Sequence, residues 1–104
     1  MVENLGLNFI KGAKMTKKET KKRVTFKLEN PSAREVLLAG SFNAWNPAAK
    51  QLKKDNKGVW KTTMMLSKGV YEYRFIVDGI WQDDPENPEK SMNEFGSHNS
   101  VLNV

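Results

Sequence analysis

From Arg23 to the C-terminus, apolar residues recur at every second position, and a period of two confines a chain to strands whose side chains alternate between two faces. Val24, Phe26 and Leu28 form a first row, with Thr25 and Lys27 between them. Val36, Leu38, Gly40 and Phe42 form a second, Trp60, Thr62, Met64 and Leu66 a third, and Tyr71, Tyr73, Phe75 and Val77 a fourth. Glu72, Arg74 and Ile76 stand on the reverse of that fourth row. Turn formers separate the rows at Asn30-Pro31-Ser32, Asn43 to Pro47, Asn56-Lys57-Gly58 and Ser67-Lys68-Gly69. Asp78-Gly79 is a two-residue hairpin signal, because both residue types tolerate positive φ. The polar stretch Gln82 to Asn93 holds Pro85 and Pro88 and reads as a loop, and Val101 to Val104 as a short closing strand. Several short strands at this spacing, with no sustained helical stripe, predict an all-β antiparallel sandwich. Trp60 keeps the phase of its row and is assigned to the core.

A chain of 104 residues has room for one such core. Cysteine is absent, which removes disulfides, thiol nucleophiles and cysteine metal sites. The formal charge of +5 belongs to one end, since residues 1–23 hold seven basic side chains against Glu3 and Glu19 while the rest is balanced. We therefore expect a basic, disordered tail over residues 1–21 and a folded domain over 22–104. Basicity confined to a tail gives the fold no nucleic-acid surface. Neither a signal-like apolar run nor about 18 successive apolar residues occurs, so no transmembrane segment and a cytoplasmic location are expected.

The candidate site follows from residues that fall outside the core phase. Trp45 ends GSFNAW inside a polar loop, Trp81 ends YEYRFIVDGIW just past the hairpin turn, and Arg74 lies between them on the face away from the apolar row. Exposed indoles with a nearby guanidinium suit flat, hydroxyl-rich rings. The faces of a glucopyranose carry C–H bonds that meet aromatic planes, and its rim carries hydroxyls that meet planar donors. Structural roles stand beside these: Trp45 as a lid on the sandwich, Trp81 packed across strands, Arg74 paired with Glu72 or another acid, and Asn99 serving a turn.

GSFNAW, the hairpin YEYRFIVDGIW followed by Asp84-Pro85, and FGSHNSVLNV, taken in this order over residues 22–104, resemble the glycogen-binding module of the AMP-activated protein kinase beta subunit. They are equally similar to the early-set module of isoamylases and branching enzymes, carbohydrate-binding module family 48, and the length resembles short stand-alone bacterial members. The resemblance implies an immunoglobulin-like early-set sandwich that binds α-1,4-linked glucan, such as glycogen, starch, maltooligosaccharide or β-cyclodextrin, without a cofactor or a metal. It places the stacking tryptophans at Trp45 and Trp81, the family's strand cation at Arg74, its leucine at Phe95, its hydroxyl residue at Ser97 and its asparagine at Asn99. The loop before Phe95 is one residue longer than in the kinase module, and Phe replaces Leu. Family context also implies a protein partner in glycogen metabolism.

Catalysis is not expected. Asp83, Asp84, Glu86, Glu89 and Glu94 crowd one loop, where nothing supplies the burial that a neutral-pH acid needs. His98 is the sole histidine, and no glycine-rich phosphate loop occurs. The alternative from another class is a protein-interaction or regulatory module with the same fold that no longer binds sugar, its tryptophans forming a hot spot.

Overall fold

The alternating rows become strands in the computed structural model, which describes residues 20–46, 48 and 50–104. The described residues form β1 (Lys22–Glu29), β2 (Val36–Gly40), β3 (Lys53–Lys54), β4 (Val59–Leu66), β5 (Val70–Val77), β6 (Ile80–Gln82), β7 (Lys90–Met92) and β8 (His98–Asn103). Lys22 and Arg23, which the charge count groups with the tail, open β1. Residues 1–19, on which most of the tail expectation falls, lie outside the described residues.

All pairings are antiparallel, and the strands divide into two sheets, as the period-two reading predicts. One has the order β1-β4-β3; the other runs β2-β5-β8-β7, with β6 also on β5. A single segment joins them at one edge. The amide of Leu38 donates to the Lys50 carbonyl at 3.0 Å and that of Leu52 to Val36 at 2.9 Å, so residues 50–52 extend the edge of β2. The next two residues, as β3, pair with β4 in the other sheet.

The inward rows meet in one core built from Phe26, Leu28, Val36, Leu38, Leu52, Trp60, Leu66, Tyr73 and Phe75. Phe26 meets Tyr73 edge to face at 5.0 Å between ring centroids, an arrangement favoured by the ring quadrupoles. Trp60 is 6% exposed and its indole N–H donates to the Asn30 carbonyl at 2.9 Å, which fulfils the core assignment made from its phase.

Two stretches differ from expectation. The closing strand begins at His98, three residues before the apolar run, and the polar stretch before it contains β7. Both consist of backbone pairing between β7 and β8, with Ser91 opposite Asn99, and a ladder needs no apolar alternation to form. Residues 83–89 are held by side chains. The buried Tyr73 hydroxyl donates to Asp84 Oδ2 at 2.6 Å, and the Asn87 amide donates to the Val101 carbonyl at 2.9 Å.

Burial, followed by the bond to Asp84, pushes the Tyr73 phenol well above its ordinary value. A raised pKa on a phenol means that the folded state keeps its proton after the unfolded state has lost it. Stability from this group is therefore complete below the unfolded value of about 10 and declines as pH rises beyond it. In an ultraviolet titration, one of the two tyrosines should form tyrosinate only as the alkaline unfolding transition begins. Ionisation of both at ordinary phenol pH in the folded protein would contradict the buried bond.

Candidate functional site

The outer face of the second sheet carries the groups that point away from the core. Val70, Glu72 and Arg74 alternate along β5 with the inward Tyr71 and Tyr73, so they share this outer face. At one end of it, β2 runs into a 3-10 turn, Ser41–Asn43. The Asn43 side chain brackets that turn, accepting from the Gly40 amide at 3.0 Å and donating to the Leu38 carbonyl at 3.2 Å. Gly40 is required by space: a Cβ there would lie 2.6 Å from the Glu72 carbonyl oxygen and 2.6 Å from the Phe42 ring.

The chain then passes through two successive left-handed residues, Ala44 and Trp45, each at φ 58°. Left-handed backbone without glycine costs about 1–2 kcal/mol per residue. Such strain persists only where surrounding bonds enforce it, and the Trp45 amide donating to the Gly40 carbonyl at 2.9 Å is one of them.

The second tryptophan arrives by a different device. Asp78 and Gly79 take φ 48° and 85°, the two positive values that a type I′ hairpin requires, as their sequence predicts. Asp78 Oδ1 accepts from the amides of Arg34 and Glu35 at 2.9 and 2.8 Å, which ties the hairpin to the start of β2. Trp81 then lies directly opposite Ile76 on β6 and remains 40% exposed.

Arg74 lies between these platforms. Among the described residues it forms no ion pair, and its Nε is buried with no hydrogen-bond partner. The structural alternative of a pair with Glu72 is not what forms; Glu72 Oε1 accepts from Asn99 instead.

That engagement begins a relay of side-chain amides. Asn99 Nδ2 donates to Glu72 Oε1 at 3.0 Å, and Asn93 Nδ2 donates to Asn99 Oδ1 at 3.2 Å. Asn93 Oδ1 in turn accepts from the amides of Phe95 and Ser97 at 2.9 and 3.1 Å. Both ends fix the direction: a carboxylate only accepts and a backbone N–H only donates, so each amide has one orientation. The relay positions the loop that carries Phe95, whose ring is 83% exposed.

These parts enclose a groove of about 890 Å³, lined by Trp45, Arg74, Trp81, Phe95 and Asn99 together with Ser41, Val70, Glu72, Asn93 and Glu94. Five of the six residues singled out from sequence thus come together. Ser97 does not line the groove; its backbone exchanges hydrogen bonds with Asn93. Val70 and Glu72 could have been found, since they share the phase of Arg74 four and two residues earlier. Asn93 could not, because its role depends on a loop register that no periodicity specifies. Among the described residues, no group of three or more His, Asp or Glu side chains converges as a metal site would require.

Comparison with known proteins places the chain in a family. Residues 22–104 match the family described as the glycogen recognition site of AMP-activated protein kinase. Protein FLOURY ENDOSPERM 6, chloroplastic, from Oryza sativa subsp. japonica is 40% identical over 75 residues, 72% of this chain and 13% of its own length. The human 5'-AMP-activated protein kinase subunit beta-2 is 34% identical over 71 residues, 68% of this chain and 25% of its own. Phosphoglucan phosphatase DSP4, amyloplastic, from Castanea sativa is 30% identical over 84 residues, 81% of this chain and 22% of its own. The chain therefore spans a quarter or less of the length of these relatives.

Proposed function

The chain belongs to the family of glycogen recognition sites of AMP-activated protein kinase, and from that premise we propose that its groove binds α-1,4-linked glucan without transforming it. Trp45 and Trp81 stack on glucose faces, Arg74 donates to rim hydroxyls, and Phe95 closes one side. The carrying observation is the convergence in a single groove of two tryptophans and a guanidinium that forms no ion pair among the described residues.

By analogy with bases on aromatic side chains, each platform contributes about 1–3 kcal/mol. Two platforms and a few solvent-facing hydrogen bonds correspond to a Kd between about millimolar and micromolar. Affinity of that order suits a module that keeps an attached or associated protein on a polymer. A glycogen-metabolism protein as that partner is part of the proposal.

Titration of tryptophan fluorescence with maltoheptaose or β-cyclodextrin tests the reading, with cellodextrin and DNA as controls. Response to the α-glucans alone is expected, and silence at millimolar ligand from folded protein would overturn it. Trp81→Ala should weaken binding about tenfold or more while leaving the thermal transition nearly in place, because the ring is substantially exposed.

A further inference from the structure

We propose that Glu72 is itself a sugar-contacting residue, the groove's hydroxyl acceptor. The proposal rests on the α-glucan reading of the groove and assigns within it the atom that takes a hydroxyl hydrogen.

A sugar rim offers hydroxyls that both donate and accept, so a groove that binds it needs acceptors as well as donors. Arg74 supplies donors only. Asn99, at the position of the family's asparagine, carries both kinds of group, but it is 8% exposed and its carbonyl oxygen receives the Asn93 amide at 3.2 Å. The Asn93 carbonyl is occupied by two backbone amides. The relay thus uses both lone pairs of the Asn93 oxygen and one of the two on the nearly buried Asn99 oxygen.

Glu72 is different. Its Oε1 holds Asn99 at 3.0 Å, while Oε2 carries no hydrogen bond among the described residues and the side chain lines the groove. It stands two residues before Arg74 on the same face of β5, so acceptor and donor are about 7 Å apart along one strand. The backbone beneath is fixed too, with the Glu72 amide donating to Ser41 Oγ at 3.2 Å beside the turn that presents Trp45. A carboxylate acceptor also forms stronger hydrogen bonds to hydroxyls than a neutral carbonyl does.

Glu72→Gln separates contact from positioning. Glutamine's carbonyl still accepts from Asn99 and preserves the relay, but the charged oxygen facing the groove becomes a neutral NH2, so the charge-assisted bond from a hydroxyl is lost. If Glu72 touches sugar, the full chain carrying E72Q binds maltoheptaose about tenfold more weakly, a change of about 1.4 kcal/mol. Its Asn99 and Asn93 side-chain amide resonances and its thermal midpoint should stay at wild-type values. If Glu72 acts only through Asn99, E72Q binds as wild type does while Glu72→Ala loses both the amide resonances and affinity, and the proposal is overturned. Weakened binding by E72Q with displaced amide resonances overturns it equally, since the loss then follows the relay. Wild-type protein that ignores maltoheptaose removes the α-glucan reading and this inference together, whereas wild-type binding matched by E72Q removes only this one.

Discussion

Trp45→Gly should bind maltoheptaose about tenfold or more weakly than wild type and yet be about 1 kcal/mol more stable than Trp45→Ala. Both variants lose the ring, and with it a stacking platform of about 1–3 kcal/mol. They differ in one carbon at a residue whose φ is 58°, where a Cβ is strained and glycine is not. Comparing their denaturant midpoints at equal slope reads the backbone strain separately from any packing the indole provides. Equal midpoints would mean that the turn is not held left-handed in solution. Should both variants unfold, Trp45 is a lid on the sandwich and its place in the groove is incidental.

Trp60→Ala should have the converse effect, costing about 3–5 kcal/mol of stability as a buried aromatic truncation. The indole is 6% exposed within the core, its N–H holds the Asn30 carbonyl, and Lys54 Nζ lies 5.5 Å from its ring centroid. A domain this size has about 5–15 kcal/mol in all, so the thermal midpoint should fall by well over 10 °C. At temperatures where the variant is folded, its glucan affinity should match wild type, because Trp60 is buried in the core and lines none of the groove. A stable variant with reduced binding would reverse the roles given to the tryptophans.

The chain's strands were legible because each buried row has the period of the pleat. The hairpin was legible because Asp78-Gly79 supplies the two positive φ values that its turn needs. β7 was not, since Lys90, Ser91 and Met92 carry no alternation and pair through backbone alone. The site divided in the same way. Trp45, Arg74 and Trp81 fall out of the core phase and betray themselves, whereas the loop of Phe95 takes its shape from Asn93, a bond between side chain and backbone that pattern does not encode. Asn99, matched to the family's asparagine with a turn role as the alternative, lines the groove and also links two other side chains, which no periodicity encodes. Ser97 was assigned by alignment to a family position, and the longer loop turns its backbone to Asn93.

The ladder of β2, β5 and β6 has a further consequence. Ala39 faces Arg74 and Ile76 faces Trp81, so the guanidinium and the second indole keep the spacing of two steps along one strand. Trp45 follows the same β2 strand after the turn at Gly40. Strand register admits no fractional adjustment, since a slip of one residue inverts every side chain. The sheet therefore behaves as a ruler for Arg74 and Trp81, and the turn after β2 sets Trp45 against it. On the proposed reading it gauges the repeat distance of a polymer, and the number of modules that one glucan accommodates should grow with chain length rather than with the number of chain ends.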